Sequence, residues 1–166
     1  MNLKRDDVSQ QESYMIPAEK CRIETVVAKS RFIATVAPAP TVEDAKLFIK
    51  KVREEMSDAS HHVYAFCVGH ENSVTEGMSD DGEPSGTAGP PILSRLRGSD
   101  LGDIVIVVTR YFGGTKLGTG GLVRAYSEAT NIALKNLVIE EKIETVLLSF
   151  TMPYSFYDQV KRLTTK

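Results

Sequence analysis

The stretch Ile104-Val-Ile-Val-Val-Thr109 runs directly into Arg110-Tyr-Phe-Gly-Gly-Thr-Lys-Leu-Gly-Thr-Gly-Gly121 and then into Leu122-Val-Arg-Ala-Tyr-Ser-Glu-Ala-Thr-Asn-Ile-Ala133. The first segment is continuously apolar and β-branched, as a strand buried on both faces requires. In the third, Leu122, Ala125, Tyr126, Ala129 and Ile132 or Ala133 form one helical stripe, which predicts a helix from about Gly121 to Lys135 with Arg124 and Glu128 outside the stripe. Between them lies a glycine-rich loop. Glycine lets backbone N–H groups approach a ligand closely, and a helix start leaves N–H donors unpaired beside a positive partial charge. Between Thr109 and Ser127 the only charged side chains are Arg110, Lys116 and Arg124, in a chain of net charge −2. The reading is an anion or RNA site built from Arg110, Gly113, Gly114, Lys116, Gly118, Gly120, Gly121 and Arg124. Lys116 would neutralise phosphate from the loop, and Arg110 and Arg124 would flank it as fork donors. The alternative is a turn whose glycines serve tight geometry and helix–sheet packing. Neither the P-loop pattern nor the dinucleotide fingerprint matches.

Working toward the N-terminus, Asp80-Asp-Gly-Glu-Pro-Ser-Gly-Thr-Ala-Gly-Pro-Pro91 is a second loop dense in turn formers, with Ser85 or Thr87 as candidate caps for a helix through Ile92, Leu93 and Leu96 that Pro90 or Pro91 would begin. Asp80, Asp81 and Glu83 admit three readings. They hold magnesium or act as a base; they are solvated turn acids; or they dock as a latch on the three cations of the glycine loop. His61 to Val68 alternates as a strand with both faces occupied, with Ser73 to Met78 returning beside it. Adjacent strand residues point to opposite faces, so His61 and His62 cannot share one metal. His62, with Ser85 and Thr87, is a possible site-lining residue, and equally a core histidine beside Tyr64 and Phe66. Arg22 to Ala28 and Phe32 to Ala37 read as a hairpin across Lys29-Ser30-Arg31. Thr41 with Asp44 is a capping-box pattern opening a helix to about Met56. The order is ββαββαβα.

Length and composition, 166 residues with 42% hydrophobic and 25% charged, fit a globular protein with one complete domain. Residues 1–15 read as a loose polar arm. From Ile139 the chain restarts, with a strand over Thr145–Met152 and a helix over Pro153–Leu163; this tail either docks on the first domain or begins another, and residues 138–166 read as the start of a domain the chain does not complete. No apolar run approaches the roughly 18 residues of a membrane helix, and Cys21 and Cys67 stand outside any ligand spacing. A cytoplasmic protein without membrane contact is expected. No nucleophile elbow or HExxH pair supports hydrolase chemistry.

With these residues in view, the sequence resembles the IMPACT/YigZ family. The matching runs are Ser30-Arg-Phe-Ile-Ala34, His61-His-Val-Tyr-Ala65, Asp80 to Gly89 and Val107 to Tyr126. The resemblance implies an α/β fold of the α+β two-layer kind for residues 16–137. It further implies the left-handed βαβ crossover superfold shared with elongation factor G domain IV and ribonuclease PH, with helices on one sheet face, and a ferredoxin-like domain beginning after it. It also implies a link to translation. The expectation is therefore a non-enzymatic regulator whose partner is RNA, the ribosome or a translation-related protein. It needs no cofactor. An enzyme using magnesium on a phosphorylated small molecule, and a protein-only interaction module, are the alternatives.

Overall fold

The apolar run at Ile104 is the middle strand of a five-stranded sheet, and the rest of the fold is arranged to cover its two faces. The computed structural model describes residues 13–70, 73–143, 149 and 151–164. In chain order the elements are β1 (Ser13–Pro17), β2 (Cys21–Val27), β3 (Ser30–Pro38), α1 (Val42–Glu55), β4 (His61–Val68), β5 (Thr75–Ser79), α2 (Gly89–Arg97), β6 (Ile104–Tyr111), α3 (Gly118–Lys135), β7 (Ile139–Ile143) and, after a 3-10 turn at Tyr154–Phe156, α4 (Tyr157–Thr164). The sheet order is β2-β3-β6-β4-β5, with every neighbouring pair antiparallel. The β3-α1-β4 connection therefore passes over β6, and β5-α2-β6 passes over β4. The predicted ββαββαβα order is the order of β2 through α3.

The fold is α+β. Phe32, Ala34 and Val36 of β3, Val63 and Ala65 of β4, and Ile104, Ile106 and Val108 of β6 pack against Ile92 and Leu96 of α2 and Leu122, Ala125, Tyr126 and Ala129 of α3. The alternate residues Ile33, Phe66, Val105 and Val107 pack against Ala45, Ile49 and Val52 of α1. The expectation of helices on one face thus holds for α2 and α3 and fails for α1. The reason is in the central strands, which carry apolar side chains on both sides and can leave neither to water.

Local signals act as the sequence predicts in most places. Thr41 caps α1, its hydroxyl accepting from the Asp44 N–H at 3.1 Å. The β2–β3 hairpin turns one residue earlier than expected, on Ala28 and Lys29, whose φ of 46° and 68° give the left-handed pair that a two-residue hairpin loop needs. Residues 13–15, read as part of a loose arm, belong to β1, which pairs antiparallel with β7. Asp103 fastens this ribbon to the sheet. Its nearly inaccessible carboxylate accepts from Tyr14 Oη at 2.9 Å, from the Gly69 N–H at 2.8 Å and from Lys142 Nζ. Those contacts hold the Lys142 ammonium above its usual range. The strand expected over Thr145–Met152 lies largely outside the described residues, and the arm before Ser13 wholly so; the helix expected over Pro153–Leu163 forms as the 3-10 turn and α4. Among the described residues no helix is long and apolar enough to cross a membrane.

Candidate anion-binding site

Strand β6 delivers Arg110 to the end of the sheet, on the face covered by α2 and α3. The loop that follows is anchored at its first glycine. A Cβ on Gly113 would lie 2.0 Å from the Lys29 carbonyl carbon, so only glycine lets the loop lie against the hairpin tip. Ser30 Oγ accepts the Gly113 N–H at 3.1 Å. The other glycines answer to other needs. Gly114 and Gly118 have φ of +86° and +69° with open space around them, and Gly120 also faces open space. Helix α3 spans Gly118–Lys135 and so begins three residues before the predicted Gly121; Gly118 itself is left-handed, a conformation that glycine adopts without steric cost. Its first turn contains no acid and no side-chain cap. Lys116 and Arg124 are exposed, and neither is in an ion pair among the described residues.

Arg110 has a different place from the one expected. Its side chain is 5% exposed, and Nη1 donates to Glu83 Oε1 at 2.6 Å. Tyr126 Oη donates to the same oxygen at 2.7 Å, and burial with the Glu83 charge holds its hydroxyl protonated by pushing its pKa well up. Nη2 lies 3.4 Å from Ser30 Oγ. The guanidinium sits 5.4 Å from the Phe32 ring and 5.5 Å from the Phe112 ring, and its Nε finds no hydrogen-bond partner among the described residues. So Arg110 is an internal brace for the base of the loop rather than a surface contact, since a desolvated guanidinium needs a matched carboxylate.

The acidic loop is turned inward as well. Asp80 Oδ1 accepts the N–H groups of Ala88 and Gly89 at 2.9 and 2.8 Å, and Oδ2 accepts that of Gly86 at 2.8 Å. Burial works against its ionisation, but these three donors hold its carboxyl below the ordinary value. Asp80 thus supplies the anion at the start of α2, whose cap position is Ala88, and the expected caps Ser85 and Thr87 do not fill that role. The Thr87 hydroxyl donates to the Pro84 carbonyl instead, and Ser85 is exposed. Asp81 accepts the His62 N–H at 2.6 Å and Arg53 Nη2 at 2.7 Å, which hold its carboxyl down against the opposing effect of burial.

The latch therefore forms through one pair only, Glu83 with Arg110. The three carboxylates expected as a magnesium set are committed to separate partners, and among the described residues no three His, Cys, Asp or Glu side chains gather into one group. His62 is a core histidine: it is buried, its Nδ1 lies 3.3 Å from Thr109 Oγ1, and burial followed by the nearby Arg53 charge pushes its pKa below the usual value. His61 faces the other way, with Nε2 3.8 Å from Glu83 Oε2.

Sequence reasoning did not assign the roles of Ser30, Arg53 and Tyr126. Tyr126 was visible only as one position of an apolar stripe, and its hydroxyl was the available signal, because a buried phenol requires a partner.

These motifs recur in known proteins. Residues 28–134 match the Impact N-terminal domain. The chain is 46% identical over 147 residues to the IMPACT family member YigZ of Escherichia coli, covering 88% of this chain and 71% of that protein. It is 44% identical over 154 residues to an IMPACT family member of Haemophilus influenzae, covering 92% and 75%. A crystal structure of a hypothetical protein superposes with a TM-score of 0.78 at 48% identity, covering 80% of this chain and 65% of that one. The matched domain spans every element from β3 to the last turn of α3, including the hairpin tip, both loops and the Glu83–Arg110 brace, and on that basis the chain belongs to the IMPACT family.

Proposed function

We propose that this chain is a non-enzymatic regulatory module of the translation machinery, working in the cytoplasm, that binds RNA or a phosphorylated partner through the Gly113–Gly121 loop. Family membership supports the translational part of the reading. One observation carries the anion site: Lys116 and Arg124 stand exposed, with no ion pair among the described residues, beside a helix start with no acid in its first turn and no side-chain cap. Unpaired N–H donors, a helix dipole and two free cations are the ingredients of an oxyanion site. Arg110 contributes by bracing the loop and not by touching the anion. Residues 16–137 carry the site in this reading, and the further domain begins beyond β7, which is itself tied back to β1 and Asp103.

The test is equilibrium binding of labelled single-stranded RNA across a salt series. Two cations neutralising two phosphates give a log–log slope of about −1.4, because each phosphate contributes about −0.7 on a single strand. Replacing Lys116 and Arg124 together by Ala removes most of the affinity and leaves stability within about 0.5 kcal/mol, as exposed substitutions do. Equal affinity in the double variant rejects the site.

A further inference from the structure

Beyond the loop, the start of α3 borders an open groove of about 580 Å³. Val27 from the end of β2 and Leu117 and Val123 from the start of α3 line it with aliphatic surface, while Arg95 of α2 and Arg124 supply two guanidinium groups and Glu128 a single acid. Neither arginine is in an ion pair among the described residues, and Val123 is 38% exposed. We propose that this groove takes an acidic peptide segment of a partner protein, seating one aliphatic side chain on Val27, Leu117 and Val123 and its carboxylates on Arg95 and Arg124.

Charge and surface chemistry both select this occupant. Two unpaired guanidinium groups against one carboxylate leave the groove net positive, and Arg matches a carboxylate through two parallel hydrogen bonds. Single-stranded RNA gains affinity by stacking its bases on aromatic faces, and no aromatic ring lines the groove. Glu128 in the wall opposes carboxylates and phosphates alike, so an acidic peptide seats its carboxylates at Arg95 and Arg124 and offers Glu128 a backbone N–H. Ser127 and Asn131 also line the groove and supply a hydroxyl and an amide for peptide backbone groups. An aliphatic floor rewards a buried side chain, which an RNA backbone lacks. This goes beyond the anion reading of the loop, with which it shares Gly121 and Arg124.

The experiment follows backbone amides of the 15N-labelled chain by NMR during titration with four probes. These are a capped Glu-Glu-Leu-Glu-Glu peptide, the same peptide with Gly in place of Leu, a ten-nucleotide oligouridylate and tripolyphosphate. The leucine peptide is expected to shift the amides of Leu117, Val123 and Ser127 and to saturate at least tenfold below the glycine peptide. Val123→Asn should erase that difference while leaving the thermal transition and the tripolyphosphate response unchanged. Equal binding of the two peptides, no shift of the groove amides, or oligouridylate occupying the groove at lower concentration than the peptide would each overturn the inference. Tripolyphosphate reports on the loop separately. If it leaves Lys116 to Gly121 unmoved while the leucine peptide still fills the groove, the anion reading fails and the groove stands.

Discussion

The acidic turn from Asp80 to Gly89 and the glycine loop from Gly113 to Gly121 share a composition of turn formers, and each feeds a helix on the same sheet face. They resolve the helix start in opposite ways. At α2 the chain brings its own anion, the Asp80 carboxylate, which takes three backbone N–H groups. At α3 the first turn has no acid and no side-chain cap, and Glu83 of the neighbouring loop is spent on Arg110 and Tyr126. Charge in the first loop is consumed by folding; Lys116 and Arg124 at the second are not.

The contrast can be broken most severely at the brace between the loops. Glu83→Ala leaves the buried Arg110 guanidinium without its carboxylate, and removing one member of a buried pair costs about 3–5 kcal/mol. Denaturant unfolding should show a large fall in midpoint. A change under 1 kcal/mol would mean that the pair contributes nothing to the fold.

Gly113→Ala comes next, at about 1–3 kcal/mol, because the new methyl meets the Lys29 backbone and either the hairpin or the loop must shift. Its counterpart is Gly120→Ala, which meets no atom within 4 Å and needs no left-handed φ. That substitution in the first turn of α3 should raise stability by about 0.5 kcal/mol through helix propensity. Two glycines of one loop moving the thermal transition in opposite directions would separate packing from conformational freedom; equal shifts would unite them.

Asp80→Asn should cost about 1–2 kcal/mol at neutral pH, because a charged acceptor of several N–H groups is replaced by a weaker neutral one. The pH dependence has a defined sign. The Asp80 carboxyl titrates below its ordinary 3.8 in the folded chain, so its stabilisation is complete well above that value and is lost as pH falls through the folded pKa. Stability of the parent and the variant, measured by denaturant unfolding from pH 7 to pH 3, should draw together toward the acid end. A gap that is independent of pH would show that the carboxylate charge plays no part in the cap.

Periodicity and capping were local signals, and they placed β2 through α3 within a few residues. The α3 start lies at Gly118, ahead of the first apolar position Leu122 from which the helical period can be read. The extent of β1 was illegible, since its partner β7 lies more than a hundred residues away and neither strand has a strong period of its own. Cations counted along the loop looked equivalent in the sequence, but Arg110 points into the sheet face at an even position of β6 while Lys116 and Arg124 stand on the surface.

What the amino-acid sequence determined by itself was the elements from β2 to α3 and the family, because hydrophobic period, turn residues and long motifs are properties of neighbours along the chain. Only the tertiary structure decided which charges remain available. Whether a carboxylate caps a helix eight residues away, braces an arginine from another loop or faces water depends on distances that close only when the sheet is assembled. The burial of Arg110 with Glu83 is fixed by packing between distant segments, and that leaves Lys116 and Arg124 as the loop's free cations.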